Sequence, residues 1–153
     1  MCSSDLYPHF AAHMVDDLAE TTGREVRWRA FFLGGVLRSS GNTAPATVLA
    51  KGALLREDFK RESKRLGVPF SYHPGFPMNT LGLMRGLAGL EHRDPDQAKT
   101  LAKALFHAMW VQNIPTDDVE RLKPIIAGAG VDADAFLASA QDPDRKSTRL
   151  NSS

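Results

Sequence analysis

The stretch GREVRWRAFFLGGVLRSSGNTAPATVLAK, residues 23–51, decides the fold, because it holds the only convincing strand signal in the chain. Val26, Trp28 and Ala30 alternate with charged Arg27 and Arg29 and run on into Phe31, Phe32 and Leu33, the pattern of a strand over 25–33 entering a core. Gly34 and Gly35 break that run, LRSSGNTAP (37–45) reads as a loop, and Pro45 sits where the first turn of a helix tolerates proline. The helix that follows, over about 45–66, carries Val48, Gly52, Leu55, Phe59 and Leu66 on one face and stops before Gly67.

Working outward, YPHFAAHMVDDLAETT (7–22) spaces Phe10, Met14 and Leu18 as one apolar helical face, with Gly23 as the stop. On the other side VPFSYHPGFP (68–77) is too rich in Pro and Gly for a regular element, and a helix over about 79–91 follows it. Asp94, Pro95 and Gln97 form a helix start with Asp as cap, Pro at the first position and Gln able to reach back. That helix sends Leu101, Leu105, Phe106, Met109 and Trp110 towards a core. Asp117 and Glu120 repeat the capping pattern before a short helix interrupted by Pro124, and DADAFLASA (132–140) is a last short helix. One strand among about six helices is an unbalanced inventory, since a lone strand cannot satisfy its own backbone groups.

With 153 residues, 42% of them hydrophobic, the chain has material for one core. A net charge of +1 and the lack of any run of like charges argue against nucleic acid as a partner. No apolar stretch approaches the roughly 18 residues a membrane span needs, and no basic-then-apolar leader is present, so the expectation is a cytoplasmic protein without a membrane partner. Cys2 is the single cysteine, which excludes a CxxC pair, a structural zinc site and an internal disulfide. His9 and His13 lie one helical turn apart, but no third ligand accompanies them, so no metal is expected.

The two ends stand apart in composition. MCSSDL (1–6) and DRKSTRLNSS (144–153) have no apolar periodicity, and CSSDL and DRKST can be written as opposite strands of one oligonucleotide that resembles a sequencing-library adapter. Residues 1–6 and 144–153 are therefore expected to be non-native tails flanking an interior segment at about 7–143.

Within that segment the block Leu33–Lys51, with Gly41-Asn42 ahead of a Pro-containing helix start and Lys51 nine residues after Asn42, resembles the 2-hydroxychromene-2-carboxylate isomerases, relatives of the kappa-class glutathione transferases. FPMNTLGLMR (76–85) and ALFHAMWVQN (104–113) support the resemblance in the same order. It implies an α/β fold, a thioredoxin-like domain with an all-helical insertion, of which this chain holds a mostly α part with about one core strand. Residues 7–35 would be the first thioredoxin helix and strand, and 45–141 the insertion. Tyr7 matches the tyrosine of the family's Ser-Pro-Tyr stretch, which puts the catalytic serine position on Asp5, inside the foreign end. This chain is accordingly expected to be inactive and poorly soluble.

The resemblance further implies glutathione as cofactor, held by Asn42 and Lys51, and a small aromatic-derived carboxylate as substrate, contacted by Asn79, Arg85 and Trp110. The implied reaction is a cis-trans isomerisation within aromatic-compound degradation: the glutathione thiolate adds to a conjugated carbon, a double bond becomes rotatable, and the thiolate leaves again. A full-length family member is expected to be a homodimer. Four of these residues also have a plain structural alternative: Asn42 as a turn residue, Lys51 as a solvated lysine, Asn79 as a helix cap, Trp110 as core. Three other functions stay open. They are a kappa-class transferase that conjugates glutathione, an oxidoreductase of the DsbA branch, disfavoured by the missing CxxC, and a non-catalytic helical interaction module.

Overall fold

The computed structural model describes residues 6–141. Seven α-helices follow in chain order: α1 (Leu6–Thr22), α2 (Leu33–Ser39), α3 (Leu49–Leu66), α4 (Leu81–Glu91), α5 (Pro95–Trp110), α6 (Val119–Gly128) and α7 (Ala133–Gln141), with a single 3-10 turn at Pro45–Thr47. Asp94 caps α5 as its sequence requires, accepting the Gln97 backbone N–H at 2.9 Å ahead of Pro95. Gln97 does not reach back; its side-chain amide donates instead to Gly130 O across the α6–α7 turn at 2.7 Å. The cap of α6 falls on Asp118 rather than Asp117, and the helix runs on through Pro124.

The core has two parts that meet on α5. Leu101 and Leu105 pack with Leu83 and Leu87 of α4, Leu122 and Ile126 of α6 and Phe136 of α7. One turn on, Met109 and Trp110 join Phe10 of α1, Phe59 of α3 and Val68 and Met78 of the long loop. Rings run through this second part, from Phe10 to Phe70 (5.6 Å between centroids), Phe70 to Trp110 (6.0 Å) and Trp110 to Phe76 (5.3 Å). The 68–77 segment, irregular as expected, is held by those rings and by hydrogen bonds. Ser71 N–H donates to Trp110 O, Asn113 Nδ2 donates to Ser71 Oγ, and a His9 ring nitrogen donates to Pro69 O at 3.0 Å. Gly67 closes α3 with φ 66°, the left-handed conformation that glycine adopts without strain.

Three expectations are corrected. Residues 24–32 form no paired strand among the described residues. The period-two pattern survives as burial, with Val26, Trp28 and Ala30 half-buried and Arg27, Arg29 and Phe31 exposed. The extended segment lies against α4 and α5: Ala30 N–H donates to Glu91 Oε2 at 3.3 Å, and Lys103 Nζ stands 5.8 Å from the Trp28 ring centre. Secondly, LGGVLRS (33–39) is helical despite its two glycines, which cost a helix about 1 kcal/mol each and here are outweighed by packing, Gly34 being buried. Thirdly, α1 is turned so that His9, Phe10 and Ala12 face inward while Met14 and Leu18 remain 46% and 60% exposed. In this orientation Phe10 enters the second core and Asp16 bridges Lys99 (2.7 Å) and Lys103 (2.5 Å) of α5.

Two stability measurements follow from this packing. A Cβ placed on Gly86 would lie 2.5 Å from Phe136 Cζ, so Gly86→Ala should lower stability by about 1–3 kcal/mol in denaturant unfolding although alanine is the better helix former. Phe136→Leu in the same chain should then cost far less than it does alone, whereas additive effects would mean that the ring is not what Gly86 makes room for. Burial pushes the His9 imidazole below its usual value, aided by His13 and His107 and opposed by the hydrogen bond to Pro69. The unfolded chain then binds the extra proton first, so stability should fall as pH drops from about 6.5, by at most about 1.4 kcal/mol per pH unit. His9→Gln should flatten that slope, measured as unfolding midpoints between pH 7.5 and 5.

Candidate functional site

The segment that carries the expected cofactor residues is built from the end of α2, the 3-10 turn and the start of α3. Asn42 follows Gly41, which has φ 70°, and its Nδ2 donates to Ser40 Oγ at 3.1 Å, while its backbone N–H closes on Leu37 O at 2.8 Å. The side chain is exposed, with its amide oxygen left over. Lys51 lies in the first turn of α3 and is also exposed, and its ammonium has no ion-pair partner among the described residues.

A cation in the first turn runs against the helix dipole, whose positive end is there. The cap position, Val48, offers no side-chain acceptor to the first amides of α3. Uncapped backbone N–H groups and an unpaired ammonium at one helix start make a surface with affinity for carboxylates. Gly52 lets this corner close: a Cβ there would sit 3.0 Å from Ala46 O.

The three residues expected at the substrate are dispersed. Asn79 is exposed, its Oδ1 accepting the Leu81 backbone N–H at 3.2 Å and its carbonyl accepting Thr116 Oγ1 at 3.1 Å, which makes it a link between the start of α4 and the 111–118 loop. Arg85 is half-buried on α4 with its Nε out of solvent and unbonded. Trp110 is completely buried among the rings of the second core. Asp5, the position matched to the family's serine, lies outside the described residues.

Other polar groups converge where the sequence offered only the His9–His13 pair. Between α1 and α5 a cleft of about 370 Å³ is lined by His9, His13, Asp16, Lys103, Phe106 and His107. His13 donates from Nδ1 to His9 O at 2.9 Å, and the two rings stand 4.9 Å apart. No group of three or more His, Cys, Asp or Glu among the described residues is placed to hold a metal ion. A second, more open groove of about 430 Å³ runs beside the extended segment, with Glu25, Arg27, Arg29, Glu91 and Lys99 on its walls. Most of its charges are paired: Arg27 with Glu25 at 3.0 Å, Arg29 with Glu91 at 3.6 Å and Lys99 with Asp16. The α1–α5 cleft joins residues about 90 positions apart in the chain, a spacing from which sequence alone gives no sign. No described helix is long and apolar enough to cross a membrane.

Comparison with known proteins agrees with the helical architecture. Over 114 residues the chain is 26% identical to glutathione S-transferase kappa 1 of Caenorhabditis elegans, a match covering 71% of this chain and 50% of that protein. It thus spans about half the length of the curated relative it matches. The solved structure of 2-hydroxychromene-2-carboxylate isomerase superposes with a TM-score of 0.76 at 20% identity, covering 94% of this chain and 69% of that one, which establishes a shared fold. The model of the DSBA-like thioredoxin domain matches residues 7–149, and the chain belongs to that family.

Proposed function

We propose that the chain is the helical part, with the first thioredoxin helix, of a glutathione-dependent cis-trans isomerase acting on an aromatic-derived carboxylate of the 2-hydroxychromene-2-carboxylate kind. The observation that carries the reading is the start of α3: an exposed, unpaired Lys51 at an uncapped helix N-terminus, nine residues after the exposed Asn42. Glutathione is a peptide with two carboxylates, and this corner fits one of them. Lys51 would hold a carboxylate by charge, and the first amides of α3 would add hydrogen bonds. Asn42 would bond the peptide backbone through its free amide oxygen. When bound, glutathione would supply a thiol whose anion adds reversibly to a conjugated carbon and is regenerated as the substrate isomerises. The kappa-class relative supports glutathione as the cofactor, and the shared fold of the isomerase structure is in keeping with the reaction. The substrate, a cytoplasmic location and a homodimeric assembly belong to this proposal.

Calorimetric titration of the chain with glutathione at pH 7 tests the first half. Lys51→Ala should weaken binding about tenfold, the worth of a charge-assisted hydrogen bond, and Asn42→Ala somewhat less. The second half is a turnover assay on 2-hydroxychromene-2-carboxylate with and without glutathione. Asp5→Ser restores a hydroxyl at the family's serine position and should raise glutathione-dependent isomerisation about 10²-fold, the scale on which one positioned donor acts. An undiminished affinity in the Lys51 variant, together with Asp5→Ser turnover equal to the parent's, would refute the reading. Consumption of glutathione in step with an electrophile, without isomerisation, would point to the transferase chemistry of the kappa-class relative instead.

A further inference from the structure

The cleft between α1 and α5, of about 370 Å³, has the size of a small-molecule site, and none of Asn42, Lys51, Asn79, Arg85 or Trp110 lines it. Its register is fixed at both ends. Asp16 bonds Lys99 and Lys103 at one end, and at the other His107 lies close enough to His9 to oppose its protonation, so the two helices run antiparallel. His13, one turn after His9 and three residues before Asp16, therefore faces the turn of α5 between Lys103 and His107. Ala12, Pro69, Phe106 and Val111 complete the lining with apolar surface.

The polar groups of this cleft reach solvent and keep bonding capacity. His13 and His107 are both exposed. His13 commits its Nδ1 hydrogen to His9 O, which leaves Nε2 open, and the His107 ring has no hydrogen-bond partner among the described residues. Lys103 gives one of its ammonium hydrogens to Asp16 and keeps the others.

The charge of the cleft follows from its titratable groups, which are His9, His13, Asp16 and Asp17 from α1 and Lys103 and His107 from α5, the loop contributing only Pro69. Lys103 and then Lys99 hold the Asp16 carboxyl below its usual range, so this trio stays ionised and leaves one positive charge over, which Asp17 offsets. Burial disfavours the charged form of His9. The balance rests on His13 and His107: the cleft is near neutral without their protons and positive with them. Histidine is the side chain whose charge changes between about pH 5 and 8. An anion therefore gains as pH falls through that range, and the apolar walls favour one that carries an apolar body over a fully hydrated inorganic ion.

We propose that the α1–α5 cleft binds a compact monocarboxylate with an apolar body, its carboxylate among His13 Nε2, His107 and the Lys103 ammonium and its body against Phe106 and Val111. The site does not rest on the glutathione reading, and its test is separate from it.

The probe is benzoate, with benzyl alcohol as its uncharged counterpart, titrated into the full chain and followed by NMR at the Ala12 and Val111 methyls. Benzoate should shift both signals saturably and bind at least about fivefold tighter at pH 5.5 than at pH 7.5, whereas benzyl alcohol should show no such gain. His107→Gln, on an exposed ring with no bond to lose, should reduce the gain, and His13→Gln added to it should remove the rest. Lys51→Ala should leave benzoate binding unchanged while it weakens that of glutathione, so the two sites stand or fall separately. Absence of a saturable benzoate shift, an affinity that does not change with pH, or a gain that survives the double substitution overturns the proposal.

Discussion

The constraint on which the structure depends is that α5 must be apolar on two sides at once. Leu101 and Leu105 close the α4–α6–α7 core, and Met109 and Trp110 close the aromatic core of α1, α3 and the long loop. Everything else is placed relative to that helix. Asp94 and Pro95 fix where it begins, and Lys99 and Lys103 on its flank engage Asp16 of α1. The carbonyl of its last residue, Trp110, accepts from Ser71 and anchors the irregular segment. A helix with two apolar faces cannot be stable alone, and its burial is what makes the two cores one body.

Much of this architecture was legible along the chain, because caps and helical periodicity are local signals. Asp94-Pro95 marks the start of α5, Gly67 the end of α3, and Leu101 to Trp110 the buried face, all as the residues imply. What failed was decided at a distance. The rotation of α1 follows the packing of Phe10 against residues 49 to 100 positions away, so the apparent stripe Phe10, Met14, Leu18 misleads. The alternation of Val26, Trp28 and Ala30 is real, but it records one buried face and not a ladder; burial on one side gives a period of two whether or not a strand is paired. Glycines 34 and 35 look like a break to local propensity and are overruled by packing.

For the site the balance is reversed. Asn42 and Lys51 stand out in the sequence through the resemblance their spacing carries, and the fold leaves both exposed, Lys51 in the first turn of an uncapped helix. Trp110 stands out equally and is core, because an aromatic on an apolar helical face serves either purpose and only three-dimensional neighbours distinguish them.

The most direct test of the functional account is where glutathione lands on this surface. In an amide NMR titration of the chain, the account predicts that the largest shift changes fall in residues 40–53, with Asn42, Lys51 and the first amides of α3 foremost. Shifts centred instead on the α1–α5 cleft at His13 and His107, or no shifts at millimolar glutathione, would contradict it.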